Sequence, residues 1–98
     1  MGTVTLRQWD SAEHLKTSED MAEYLEACLE EAGDDPAFIA KALGTIVRAR
    51  GGVIPIARDT GLSRENLDRT LSGEGNPEFG TILKVVKALG LRLHAGMA

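Results

Sequence analysis

Apolar residues recur at helical spacing in five segments of the chain, and polar or glycine-containing stretches separate these segments. The pattern predicts five helices, near residues 18–32, 36–50, 53–60, 64–72 and 78–89. Alternating residues near the two ends, at 3–9 and 91–95, predict short strands. The expected architecture is therefore a single all-α domain, residues 1–98, with a short strand at each terminus.

Capping residues support the helix boundaries. Thr17 and Asp20 have the spacing of a capping box at the start of the first helix. Asp35 and Asn76 are each followed by proline, which predicts an N-cap and a first helical residue for the second and fifth helices. Gly90 is expected to end the fifth helix in the left-handed conformation.

Residues 53–72 have the pattern of two short helices joined by a tight turn. Ala57 is small enough for a helix crossing, and Gly61 accepts the positive φ that such a turn requires. Ser63, as N-cap of the second helix, directs free N–H groups outward, where a phosphate can bind. The apolar residues expected to hold the two helices together are Ile56, Leu62, Leu67 and Leu71.

The outward face of this second helix carries side chains that can recognise base edges in a major groove. With Leu67 directed inward and a rotation of about 100° per residue, the residues on or beside this face are Arg64, Glu65, Asn66, Asp68, Arg69 and Ser72. Arginine pairs with guanine, asparagine with adenine, and a carboxylate with cytosine. Glu65 and Arg69 also fit an ordinary surface ion pair at i,i+4, but the pattern of the whole segment favours DNA binding.

The distribution of charge restricts where a DNA-binding face can lie. The 98 residues have a net charge of −4; residues 1–50 hold five Lys/Arg and ten Asp/Glu, and residues 51–98 hold six and five. A DNA-binding face therefore belongs in the second half. The acidic helix 18–32 presents a face that complements a basic protein, through Glu19, Glu23, Glu26 and Glu30. A protein-interaction module without specific DNA binding is the alternative hypothesis.

Other residue types argue against catalysis and membrane insertion. His14 and His94 lie far apart in the sequence, and no nucleophile, phosphate loop or metal-ligand cluster accompanies them. We therefore expect two exposed imidazoles, and we expect no enzyme activity, cofactor or metal site. The single cysteine, Cys28, is expected to be a buried thiol. No apolar run approaches the roughly 20 residues that span a bilayer, and no secretory signal is visible. The expected location is the cytoplasm.

Three runs of the sequence together resemble a known family. They are SEDMAEYLEACLEEAG, DPAFIAKALGTIVRARGG and GLSRENLDRTLSGEGNPEFGTILKVVKALGLRL. They resemble the probable addiction module antidote proteins, antitoxins with a lambda-repressor-like (Xre-type) helix-turn-helix, over nearly the whole chain. The resemblance implies a five-helix lambda-repressor-like DNA-binding domain with its helix-turn-helix at residues 53–72.

The resemblance also implies partners. They are double-stranded operator DNA in the promoter of the protein's own toxin–antitoxin operon, which the protein would repress, and a RelE-like toxin, which it would neutralise by direct binding. The acidic face of helix 18–32 is the candidate toxin-binding surface. A homodimer is expected because one recognition helix buries little surface, and a dimer reads two half-sites about 34 Å apart or a multiple of that distance.

Carried over by position, the family's DNA contacts fall on Ser63, Arg64, Glu65, Asn66 and Arg69, with phosphate contacts near Gly75 and Asn76. Two positions depart from the family pattern. Asp68 stands where an aromatic residue is common, and Thr70 stands where a small apolar residue is common. Because Asp68 lies on the expected DNA-facing side, its carboxylate lowers the expected affinity for phosphate-rich DNA.

Overall fold

The computed structural model describes residues 15–97, which form five α-helices and no strand. In chain order these are α1 (Ser18–Ala32), α2 (Pro36–Ala49), α3 (Val53–Thr60), α4 (Arg64–Leu71) and α5 (Phe79–Ala88). Every boundary lies within one residue of its predicted position, so the five predicted helices are confirmed. The predicted strand at 3–9 lies outside the described residues.

The first two helices begin with the predicted caps. The Asp20 N–H donates to Thr17 Oγ1 at 3.0 Å, and the Thr17 N–H donates to Asp20 Oδ2 at 3.2 Å, which completes the capping box. At α2, Asp35 Oδ1 accepts from the N–H groups of Ala37 and Phe38 at 3.1 and 3.2 Å. These bonds satisfy donors that have no acceptor within the helix.

The predicted N-cap of the fifth helix, Asn76 with Pro77 as the first helical residue, is wrong. Glu78 is the N-cap of α5, and the helix begins at Phe79. Pro77 instead lies in the preceding loop, where it lines a cleft beside α4 and an apolar cavity beside α1. An N-cap residue followed by proline is a local signal. It does not show where the preceding loop ends, which depends on how α5 packs on the other helices.

The core is aliphatic and is centred on α2, which packs against each of the other four helices. Leu43 and Ile46 of α2, Leu67 of α4, and Val85 and Leu89 at the C-terminal end of the chain's last helix are fully or almost fully buried. Burial of each such side chain contributes about 1.5–3 kcal/mol relative to leaving it exposed. This packing fixes the position of α4 on the body of the protein.

The single cysteine is a core residue. Cys28 is fully buried, and desolvation by burial raises the pKa of its thiol, while a hydrogen bond with Tyr24 opposes this shift and the charge of Glu31 adds to it. Because the thiolate is the reactive form, a raised pKa keeps the thiol inert near neutral pH. The predicted buried thiol is confirmed.

After α5 the chain turns at Gly90, whose φ of +79° confirms the predicted left-handed conformation. The Leu91 N–H donates to the Val86 carbonyl at 3.1 Å, and the following residues run beside α1. The predicted strand at 91–95 is wrong, although Leu91 does pack against the core. A strand requires ladder hydrogen bonds to a neighbouring strand, and residues 15–97 contain no strand to supply them.

Three large apolar residues at helical spacing are exposed. Leu29 of α1 is 37 % exposed, and Phe79 and Leu83 of α5 are 69 % and 41 % exposed. Helical periodicity identifies a wide apolar face, but the neighbouring helices cover only part of it.

Within residues 15–97, no helix is long and apolar enough to cross a membrane.

Candidate nucleic-acid interface

The turn between α3 and α4 has the predicted geometry. Gly61 is the C-cap of α3 with φ +77° and ψ +5°, and its N–H donates to the Ala57 carbonyl at 2.9 Å. The Thr60 hydroxyl donates to the Ile56 carbonyl at 2.7 Å and accepts from the Leu62 N–H at 3.2 Å. Thr60 therefore links the end of α3 to the turn, a role that the sequence analysis missed.

Replacement of Gly61 by alanine is expected to destabilise the protein by about 1–2 kcal/mol, the cost of the left-handed conformation for an L-residue with a Cβ. Apart from chain neighbours, no described atom lies within 4 Å of that Cβ, so the cost is conformational. Gly61→Asn should cost less because asparagine tolerates this conformation. Urea unfolding of each variant measures the difference.

Gly80→Ala is the matched control for Gly61→Ala. Gly80 lies within α5 with a negative φ, and a Cβ there also has no described atom within 4 Å beyond its own helix and neighbours. This substitution should stabilise the protein by about 0.4–1 kcal/mol, because alanine adopts this conformation without strain and restricts the unfolded chain. A Gly61→Ala variant as stable as the parent would contradict the proposed role of the turn.

The approach of α4 to α2 depends on Gly44. A Cβ at this position would lie 3.1 Å from the Leu71 carbonyl oxygen and 3.4 Å from the Leu71 Cβ. The absence of a side chain at Gly44 thus allows the C-terminal end of α4 to pack closely, while Leu67 anchors its middle in the core. The sequence signal for this contact is a glycine inside an otherwise strongly apolar helix.

The N-terminus of α4 is exposed and capped as predicted. Ser63 Oγ accepts from the Asn66 N–H at 3.0 Å, and the Ser63 carbonyl accepts from the Leu67 N–H at 3.0 Å. The N–H groups of Arg64 and Glu65 belong to the first helical turn and have no acceptor within the helix. Together with the positive end of the helix dipole, they form a surface suited to a phosphate.

Most of the predicted DNA-contacting residues lie on the surface. The exposed ones are Ser63, Arg64, Glu65, Asp68, Arg69, Gly75 and Asn76. Arg64 Nε lies 3.9 Å from Asp68 Oδ2, an exposed i,i+4 pair of the kind that stabilises little. Asp68 therefore lies close enough to Arg64 to compete with a phosphate for its charge.

Asn66 is only half-buried and is oriented by a residue that the sequence analysis did not connect with it. The hydroxyl of buried Thr70 donates to Asn66 Oδ1 at 3.3 Å. This bond turns the amide along its own helix and leaves the Nδ2 donors available. Thr70, one of the two departures from the family pattern, thus positions a predicted base-contacting residue.

A cleft of about 270 Å³ brings three of the predicted residues together: Asn66, Arg69 and Asn76. Glu74 and Glu78 line the same cleft, and the sequence pattern gave no signal for them. Ser72 is exposed as predicted, but its hydroxyl belongs to the loop, because it donates to the Arg69 carbonyl at 2.8 Å and accepts from the Glu74 N–H at 3.3 Å.

The face formed by α3, α4 and the following loop is not basic. Residues 53–78 contain three arginines, no lysine and five carboxylates. The segment is net negative, and the net positive charge of the second half of the chain comes from Lys84, Lys87 and Arg92, which follow it. Any DNA affinity of this face must come from well-placed individual contacts rather than from a general positive field.

The acidic face of α1 forms a second surface. Of its predicted residues, Glu19, Glu26 and Glu30 line a cavity of about 760 Å³ between α1 and residues 90–97. Glu23 is also exposed on α1 but is not among the described residues that line this cavity. The structure therefore brings three of the four glutamates to one groove.

The remaining candidate residues are the two histidines. His94 is exposed in the C-terminal segment, and His14 lies outside the described residues. Among residues 15–97, no group of three or more His, Cys, Asp and Glu side chains could hold a metal ion.

Comparison with known proteins identifies the family of the chain. The profile of the family described as probable addiction module antidote protein matches residues 5–97, and the chain belongs to that family. The chain is also similar to an uncharacterized protein of Haemophilus influenzae, with 49 % identity over 92 residues, which is 94 % of this chain and 92 % of that protein. No solved structure matches the chain significantly.

Proposed function

We propose that the chain is a sequence-specific DNA-binding antitoxin that represses its own toxin–antitoxin operon and neutralises a RelE-like toxin by direct binding. The observation that carries the DNA-binding part is the presentation of α4, whose N-terminus and polar face are exposed while Leu67 and Gly44 fix its position. In this proposal α3 and α4 are a lambda-repressor-like, Xre-type helix-turn-helix, and α4 is the recognition helix.

Each exposed group of α4 has a defined task in this function. The free N–H groups at the N-terminus of α4 and the Ser63 hydroxyl bind a backbone phosphate and set the position of the helix on the duplex. Arg69, Arg64 and Asn66 then have the donors that recognise guanine and adenine edges. Glu65 and Asp68 can accept from a cytosine amino group, and Gly75 and Asn76 lie where the loop meets the next phosphates.

The proposed repressor acts as a homodimer in the cytoplasm, without a cofactor or catalytic activity. A two-fold dimer presents two copies of α4 to half-sites about 34 Å apart or a multiple of that distance. The corresponding operator is an inverted repeat in the protein's own promoter. The toxin part of the function rests on the family and on the acidic face of α1, which complements a basic protein.

One observation favours the second candidate function, a protein-interaction module that binds a basic toxin without specific DNA binding. The face at residues 53–78 carries more carboxylates than arginines, which opposes association with a polyanion. In that case α4 is a structural helix, and the acidic face of α1 carries the whole function.

A titration of labelled promoter DNA separates the two candidates. The wild-type protein should bind its own promoter more tightly than random DNA, and the affinity should fall as salt rises because phosphate contacts release counterions. Sedimentation of the protein with and without operator should show a dimer. If promoter and random DNA bind equally, the repressor function is wrong and the interaction module becomes the better account.

A further inference from the structure

Apolar side chains are exposed beside α1, outside the described core. Two adjoining cavities, of about 260 and 760 Å³, share Leu25, Leu29 and Leu93, and we call the combined surface the α1–tail groove. The smaller cavity is lined on its other side by residues of α2 and α5, including Phe79. The larger cavity is lined on its other side by the segment that begins at Gly90. Leu29, Leu93 and Phe79 are 37 %, 38 % and 69 % exposed, so the groove offers apolar side chains that the described core does not cover.

The rim of this groove is acidic. Glu19, Glu26 and Glu30 line it from α1, and Asp34 lines it from the loop before α2. Arg92 and His94 of the terminal segment are the basic side chains among its described lining residues. The whole of α1 has six acidic residues and no lysine or arginine, so the field around the groove is negative.

This charge distribution discriminates between possible occupants. In a two-fold dimer the same patch of both copies meets itself, and two acidic α1 helices would face each other. Like charges placed opposite each other across an interface cost several kcal/mol, which disfavours a second copy of the chain here. A basic partner gains both the burial of apolar surface and opposite charges at the rim.

We propose that the α1–tail groove binds a basic amphipathic helix of the toxin partner, an inference that rests on the proposed function. The apolar side chains of that helix pack on Leu29, Leu93 and Phe79, in the manner of a helix in a hydrophobic groove. Its lysines or arginines flank the apolar stripe and pair with Glu26 and Glu30 at the rim. The apolar contacts supply affinity, while the charges speed association and orient the helix.

The test uses the full-length chain and the purified protein encoded by the reading frame adjacent to its gene. Leu29→Ser should weaken the complex roughly tenfold or more, as expected for loss of an apolar anchor. Leu83→Ser is the matched control, because Leu83 is 41 % exposed on a helix but lies outside both cavities. The control should bind as the wild type does.

A charge series tests the rim separately. Glu30→Lys should weaken the complex and slow its formation at low salt. Glu23→Lys is the control: it makes the same change in charge on the same helix, but Glu23 does not line the cavities, so its effect should be smaller. Overlapping labelled peptides of the partner then identify its segment. The peptide that binds the wild type and fails with Leu29→Ser should carry apolar residues at helical spacing and a net positive charge.

The outcomes distinguish the groove from the proposed function. Tight binding of the partner that is unaffected by Leu29→Ser and Glu30→Lys overturns the groove and leaves antitoxin function standing. Loss of self-association in Leu29→Ser, with partner binding intact, assigns the groove to a second copy and overturns the proposal. No binding of the partner by the wild type overturns both the groove and toxin neutralisation. Promoter binding should be unchanged in all four variants.

Discussion

Replacement of Leu67 by alanine is expected to lower the free energy of unfolding by about 2–5 kcal/mol. Leu67 is fully buried in the core, and α4 packs on both α2 and α3. The substitution removes apolar burial and leaves a cavity that the surrounding helices fill only in part. Urea unfolding followed by circular dichroism measures the loss.

Two further variants make this result specific. Leu83→Ala, at the exposed position on α5, should change stability by about 0.5 kcal/mol or less. Leu67→Met conserves most of the volume and should cost less than about 1.5 kcal/mol, which provides a folded protein if the alanine variant unfolds. A Leu67→Ala protein that is as stable as Leu83→Ala would show that α4 is not anchored as described.

Arg69→Ala is expected to weaken binding to the promoter by about 1–3 kcal/mol, or roughly 5- to 150-fold, and to relax specificity at one base pair. Arg69 is exposed on α4 and lines the cleft with Asn66 and Asn76, so its guanidinium can reach a guanine. Anisotropy titrations against promoter DNA with single base changes measure both effects.

Arg92→Ala is the control for charge alone, because it removes the same charge from the exposed terminal segment. It should alter promoter affinity much less than Arg69→Ala and should leave specificity unchanged. Asp68→Ala should strengthen binding, since it removes a carboxylate that lies 3.9 Å from Arg64, unless Asp68 accepts from a cytosine. If Arg69→Ala and Arg92→Ala weaken binding equally and uniformly across sequences, Arg69 does not read a base.

The helices could be predicted because their signals are local. A helix boundary of this kind is set by contacts within a few residues, so the sequence shows directly where the helix begins or ends. Examples are Thr17 with Asp20, Asp35 before a proline, and Gly61 in the left-handed region. The segment at 91–95 could not be assigned from its alternation, because a strand also needs a partner that lies far away in the sequence.

The candidate site could also be predicted only in part. Periodicity placed the exposed residues of α4 on one face, but the contacts that position them act through space. Gly44 meets Leu71 across two helices, and Glu74 enters the cleft from a loop whose path the pattern did not show. The exposure of Phe79 is likewise not visible in the sequence pattern, because an apolar residue is buried only where another element covers it.

In the proposed DNA-binding function, the close contact at Gly44 limits how operators can be compared among relatives. The orientation of α4 is set partly by a residue on another helix, whose enlargement would push against the Leu71 carbonyl and tilt the helix. Two relatives with the same α4 sequence but different residues at this position would present the same side chains at different angles to DNA. The operator preference of one relative can therefore be assigned to another only when both α2 and α4 are compared. Identity of α4 alone is not sufficient.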